Sequence, residues 1–200
     1  LREAAPPALQ VVAGRKGLLV SWHRGPSELM VTTVDGNGRF AWPQAISGVG
    51  PTANRSVSLA QGDNGRAVLA FMDCDGSSGP APLFASIREA GGEFGSPVQL
   101  GGAGSCNIST AVDATGRATV GWADEAPDGR GFAMTATAEP GAPFAAATQL
   151  DASCVAPCSE QSPGLVAPGR STVAAWISAT ADGSAAVRAA RSAAGQTTAR

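Results

Sequence analysis

The chain has 200 residues, with 14 Lys and Arg against 16 Asp and Glu and a formal net charge of −2. Charged residues are only 15% of the total, so there is no basic surface to neutralise phosphates and a nucleic-acid partner is excluded. No stretch approaches the ~20 continuous apolar residues of a membrane-spanning helix. Gly (26) and Pro (14) are too frequent for a helical bundle, while the 44% hydrophobic content is too high for a disordered chain. Short strands joined by tight turns fit that balance.

Taken in chain order, the elements fall into four similar units. The first reads as strands at Leu9 to Ala13, Leu18 to Trp22 and Leu29 to Val34, then a turn at Gly36 to Phe40 and a short strand at Gln44 to Ile46. The second has an alternating strand at Arg55 to Gln61, a Gly-rich turn over Gly62-Asp-Asn-Gly65 and an apolar strand at Ala67 to Asp73. A polar loop from Cys74 to Pro80 leads to strands at Leu83 to Arg88 and Pro97 to Leu100. Proline opening the last strand marks an edge, where one N–H is not needed by the ladder. The third unit repeats this order with Ile108 to Asp113, Ala118 to Asp124, Phe132 to Ala138 and Ala147 to Leu150. The fourth gives Leu165 to Ala167, Thr172 to Ile177 and Ala185 to Arg191 and is expected to stop there. No window carries a sustained helical stripe.

The units share the segments Gly17-Leu-Leu-Val-Ser-Trp22, Gly65-Arg-Ala-Val-Leu-Ala-Phe71, Gly116-Arg-Ala-Thr-Val-Gly-Trp122 and Gly169-Arg-Ser-Thr-Val-Ala-Ala-Trp176. Their aromatic residues at 22, 71, 122 and 176 recur at the ~40–50-residue period of a four-stranded blade. Val20, Leu69, Val120 and Ala174 lie on the same strand face as the aromatics, and the residue before each aromatic is small: Ser21, Ala70, Gly121 and Ala175. A bulky knob on one face and room on the other predict sheets stacked face to face. The fold expected is all-β: a β-propeller of about four four-stranded antiparallel blades, near 8–48, 54–102, 106–152 and 162–200, the last incomplete. Ragged ends suggest a segment of a six- or seven-bladed propeller, with any signal peptide upstream.

The pattern Ala-x-Asp-x-x-Gly-Arg-Ala-x-Val-x-Trp, followed after ~10 residues by x-Ala-x-Arg-x-x-Gly-Gly-x-Phe-x-x-Pro-x-x-Leu, is carried by Ala60 to Leu100 and Ala111 to Leu150. It resembles repeats of bacterial secreted propeller proteins of the sialidase-like, BNR-related kind. The resemblance implies a propeller. It does not extend to sialidase chemistry, because no Ser-x-Asp-x-Gly-x-Thr-Trp box is present. The sialidase nucleophile is a tyrosine, and this chain contains none. No arginine triad can be assigned either, and the recurrence of Arg66, Arg117 and Arg170 after the first turn reads as structural.

Four cysteines suggest disulfides and an oxidising compartment. The strand order places all four at one end of the sheets and predicts the pairs Cys74–Cys106 and Cys154–Cys158. Metal ligation by Cys154 and Cys158 would need further ligands, and the one histidine, His23, lies in another unit. The same end collects Asp73, Asp75, Asp124, Glu125, Asp128 and Asp182. Asp73, Asp75, Asp124 and Asp128 are the candidate binding residues, against the alternative of a solvated rim. The Asp73-Cys-Asp75-Gly run has a calcium-loop look but lacks the oxygen-ligand series of an EF-hand. Two carboxylates from neighbouring units would suit a glycosidase acid and base, yet nothing selects a pair. His23, Arg24 and Trp42 read as structural or exposed, and Asn54 and Asn107 head idle glycosylation sequons. The expectation is a secreted or cell-surface monomer that binds protein or glycan without a cofactor, a catalytic residue or a metal. The alternative is a fragment of a sialidase-like glycoside hydrolase whose catalytic residues lie elsewhere.

Overall fold

The computed structural model describes residues 9–15, 17–25, 28–46, 55–73, 81–103, 106–125, 130–150, 159–160, 162–179, 184–193 and 196–199. Four antiparallel sheets follow one another along the chain. The first is β1 (Gln10–Gly14), β2 (Gly17–Arg24), β3 (Glu28–Val34) and β4 (Gln44–Ile46), paired in sequence order. The second is β5 (Arg55–Gln61), β6 (Ala67–Asp73), β7 (Ala81–Arg88) and β8 (Val98–Ala103). The third is β9 (Ile108–Val112), β10 (Ala118–Glu125), β11 (Gly131–Ala138) and β12 (Thr148–Gln149).

The fourth sheet departs from expectation. Its first strand is split into β13 (Ser159–Glu160) and β14 (Gly164–Val166), both paired with β15 (Ser171–Ala179). After β16 (Ala185–Ala193), β17 (Gln196–Ala199) adds a fourth position, so the sheet does not stop at its third strand. Small, polar residues in Gln196 to Ala199 give little apolar signal, and pairing with Ala190 to Ala193 supplies the ladder instead.

The turns repeat with the strands. Gly65 and Gly116 take φ of 87° and 88°, a conformation that glycine adopts without a Cβ clash. Each closes the same turn, donating its N–H to Gly62 O and Asp113 O respectively at 2.9 Å. Side chains brace the turns: Asn64 Oδ1 accepts from Arg66 N, and Asp113 Oδ1 accepts from the N–H of Thr115 and Arg117. Asp113 is buried at the turn position that Gly62 fills in the second unit, while Asp63, one residue further on, is exposed.

Three cores lie between consecutive sheets. Leu19, Leu29, Val31 and Ile46 of the first sheet meet Val57, Leu59, Leu69 and Phe71 of the second. Val68, Ala70, Met72, Leu83 and Ala85 of the second meet Val120 and Trp122 of the third. Ala133 and Leu150 of the third meet Ala174 and Trp176 of the fourth. Phe71, Trp122 and Trp176 each lie in the core shared with the preceding sheet, and Ala70, the small residue before Phe71, lies in the core that holds Trp122. Trp122 is fully buried in the core that contains Ala70, and a Cβ on Gly101 would sit 3.5 Å from its ring. A Cβ on Gly121 would meet Pro163 Cγ at 2.9 Å, so the approach of β14 needs that glycine.

Candidate functional site

Two ends of the sheets are chemically distinct. At the end that carries the Gly-rich first turns, arginines join one sheet to the next. Arg66 is 1% exposed. Its guanidinium donates to Gly116 O, to Ala138 O at 2.9 Å and to Glu139 O at 2.9 Å, all in the third sheet. Its Nε pairs with Glu89 Oε1 at 2.9 Å within its own sheet. Arg117 repeats the arrangement with Glu139 at 2.7 Å and reaches Ser192 Oγ of the fourth sheet at 3.2 Å. These two arginines are structural, as their spacing suggested.

Arg170 does not join the series. It is exposed, because the fourth unit has one more residue between its Gly-Arg pair and its tryptophan. Side chains alternate across a strand, so one inserted residue turns the arginine to the other side. Ser171 takes the buried place and accepts a hydrogen bond from Arg191 Nε at 3.1 Å. The first sheet has Gly17 at the corresponding position. In the second sheet, Arg88 on β7 is 9% exposed, its Nε has no hydrogen-bond partner among the described residues, and burial pushes its pKa down.

The opposite end carries the candidate rim. Asp73 closes β6 and Asp124 lies near the end of β10, both half-buried and at corresponding places in adjacent sheets. Asp73 Oδ1 is buried without a hydrogen-bond partner, whereas Asp124 Oδ1 accepts from Glu125 N at 2.8 Å. Arg130 stacks over Phe132 at 5.3 Å from the ring centre, a contact that sequence reading missed. Cys106 is exposed on this rim and disulfide-bonded. Asp75, Asp128 and Asp182, with Cys74, Cys154 and Cys158, lie outside the described residues. Among the described residues no group of three His, Cys, Asp or Glu side chains could hold a metal. In the first unit, Arg24 pairs with Glu28 across the end of the β2–β3 hairpin. The hydrogen bond from Arg24 holds the Glu28 carboxyl below its ordinary pKa. His23, half-buried on β2, is not free.

An apolar hollow of about 680 Å³ opens on the outer face of the first sheet, lined by Leu9, Val20, Trp22, Phe40, Trp42 and neighbouring residues. Trp42 is 97% exposed there and Phe40 70%. The sequence flagged Trp42 as structural or exposed, and it is exposed.

No family model matches the chain, and no curated protein matches it significantly. Solved structures do. An arginine-substituted mutant of AofleA from Arthrobotrys oligospora aligns with a TM-score of 0.54 at 14% identity, over 97% of this chain and 56% of that one. A Hadza microbial sialidase aligns with a TM-score of 0.52 at 10% identity, over 96% of this chain and 45% of that one. The β-propeller domain of the Trilobed protease from Pyrococcus furiosus gives 0.51 at 8% identity, over 96% and 57%. The chain thus spans about half the length of these proteins, and likeness at such identities is a likeness of fold. The four stacked sheets are consecutive blades of a partial β-propeller.

Proposed function

We propose that the chain is a non-catalytic, secreted or cell-surface propeller module that binds protein or glycan through the rim carrying Asp73 and Asp124. The observation behind this reading is how the described carboxylates are used. Glu89 and Glu139 hold Arg66 and Arg117, Asp35 and Asp113 brace turns, Asp63 pairs with Arg15, and Glu28 pairs with Arg24. A group engaged in a structural ion pair or turn is not poised as a catalytic acid or base. Asp73 Oδ1 is buried without a partner at the rim, which is costly unless a ligand or ordered water meets it; Asp113 Oδ2 is in the same state, but its other oxygen is committed to a turn. The disulfide at Cys106 supports an oxidising compartment. We assign its partner as Cys74, from the loop after β6, with Cys154 paired to Cys158.

A second reading is a fragment of a sialidase-like glycoside hydrolase, favoured by the fold shared with a sialidase. The chain has no tyrosine, so a tyrosine nucleophile would have to come from outside these 200 residues. The test is a glycan array and a panel of extracellular proteins, run beside hydrolysis of fluorogenic glycosides. Binding weakened at least tenfold by Asp73→Ala, without hydrolysis, supports the module. Hydrolysis by the chain overturns the non-catalytic reading, and the absence of any binding overturns the proposed role.

A further inference from the structure

A polar slot recurs between consecutive blades at the end that carries the Gly-rich turns. Strand pairing fixes which residues are equivalent there. Leu18 pairs with Val34, Ala67 with Arg88 and Ala118 with Ala138. Gly17, Arg66 and Arg117 each precede the first member of a pair, and Asp35, Glu89 and Glu139 each follow the second. Between the second and third blades the slot holds Arg66 with Glu89, and between the third and fourth it holds Arg117 with Glu139. Each of these slots thus contains one guanidinium and one carboxylate. The following blade meets them with a small residue, Ala138 or Ser192.

The slot between the first and second blades is built the other way round. Gly17 leaves no room for an arginine, because a Cβ there would run into Val34 O. The guanidinium comes from the second blade instead, as Arg88 in the place of Ala138. Ala67 and Phe94, both paired with Arg88, lie in the core shared with the first blade. Paired residues share a face, so Arg88 lies on that side. The carboxylate has no replacement. Asp35 is exposed and one methylene shorter than Glu89, and its Oδ1 is held by the N–H groups of Asn37 and Arg39. Asp63 pairs with Arg15, and Glu89 with Arg66. Among the described residues no ion pair reaches Arg88, although it is more than nine-tenths buried and its Nε has no hydrogen-bond partner.

A buried charge is costly unless a counter-charge meets it. With no acidic side chain committed to Arg88, the counter-charge has to come from solvent. A guanidinium presents a planar fork of N–H donors that suits two oxygens of one anion. We propose that the interface of the first and second blades holds a small oxyanion, a carboxylate or a phosphate group, on Arg88, in the role that Glu89 and Glu139 play at the other two interfaces. The ion completes the contact between these blades. The site lies at the opposite end of the sheets from the Asp73 rim and is independent of what the rim binds.

Urea unfolding of the 200-residue chain tests this, with sodium acetate or sodium phosphate exchanged for sodium chloride at constant ionic strength and pH. The midpoint of the first transition should rise and saturate over about 1–100 mM of at least one of the two anions. Acetate acting alone marks a carboxylate site, phosphate acting alone a phosphate site, and both together an unselective fork. Arg88→Met should unfold in chloride at the wild-type midpoint or above it and should lose the saturable rise, with circular dichroism checking that it keeps the fold. Heteronuclear NMR gives a readout apart from stability: the arginine Nε–H signal that Arg88→Met removes should shift along the same titration of the wild-type chain. A midpoint that neither anion moves overturns the proposal. So does a rise that Arg88→Met shows equally, which would be the general effect of excluded salts. An Arg88 Nε–H signal that stays in place under both anions overturns it as well.

Discussion

Arg66→Met removes the charged centre of the second interface while keeping most of the side-chain stem. The wild-type guanidinium donates to three backbone carbonyls of the third blade. Hydrogen bonds involving a charged group are worth about 1.5–3 kcal/mol each, but the guanidinium is also desolvated, which offsets part of that gain. Breaking a buried charged network by removing one partner costs about 3–5 kcal/mol, and we expect a loss in that range. Glu89 is 56% exposed, so its ion pair adds no more than about 1 kcal/mol. Arg117→Met is the internal control. Among the described residues its side chain reaches the fourth blade through Ser192 Oγ, and it pairs with a half-exposed Glu139. It should cost about 1–2 kcal/mol. Urea unfolding followed by far-UV circular dichroism measures both, taking the first transition if the blades unfold in steps. A loss below about 1 kcal/mol for Arg66→Met, or one no larger than that of Arg117→Met, would refute the reasoning.

Trp122→Ala should destabilise by about 3–5 kcal/mol in the same assay, as expected for a fully buried large aromatic. Trp122→Phe should cost much less, because the indole Nε1 has no hydrogen-bond partner to lose. Gly121→Ala should cost about 1–3 kcal/mol by crowding Pro163 and Leu165, while Gly101→Ala, in ordinary contact with the Trp122 ring, should be tolerated. Arg88→Met should be neutral or stabilising, since it removes a buried, partnerless guanidinium nitrogen; a loss above about 2 kcal/mol in urea titration would refute this. Glu28 should titrate below its ordinary value in an NMR pH series, and Arg24→Ala should restore it. Because its folded pKa is depressed, its contribution is present above the ordinary carboxylate range. That contribution disappears as pH falls through the lowered value.

Local pattern carried most of the strand assignment. Arg55–Gln61, Ala67–Asp73 and Gln44–Ile46 fall where alternation and Gly turns put them, because strand period and turn chemistry are properties of short segments. The direction of the knobs was legible too, since alternation alone sets which residues share a face with Trp122. Other features depended on partners distant in the chain. Glu139 serves Arg66 and Arg117 together, through its carbonyl and its carboxylate, and no local signal pairs residues 73 positions apart. Gln196–Ala199 becomes a strand only because Ala190–Ala193 offers it a ladder. Arg170 shares its motif with Arg66 and Arg117, yet one extra residue before Trp176 turns it outward. The candidate rim was placed by strand order, whereas the hollow that half-buried Trp22 forms with exposed Phe40 and Trp42 was not legible in the sequence. Sequence thus determined the repeat and its polarity, because both arise from nearest neighbours along a strand. Tertiary structure decided which charges clasp, which stay unpartnered and which apolar faces remain open, because those depend on what lies across an interface.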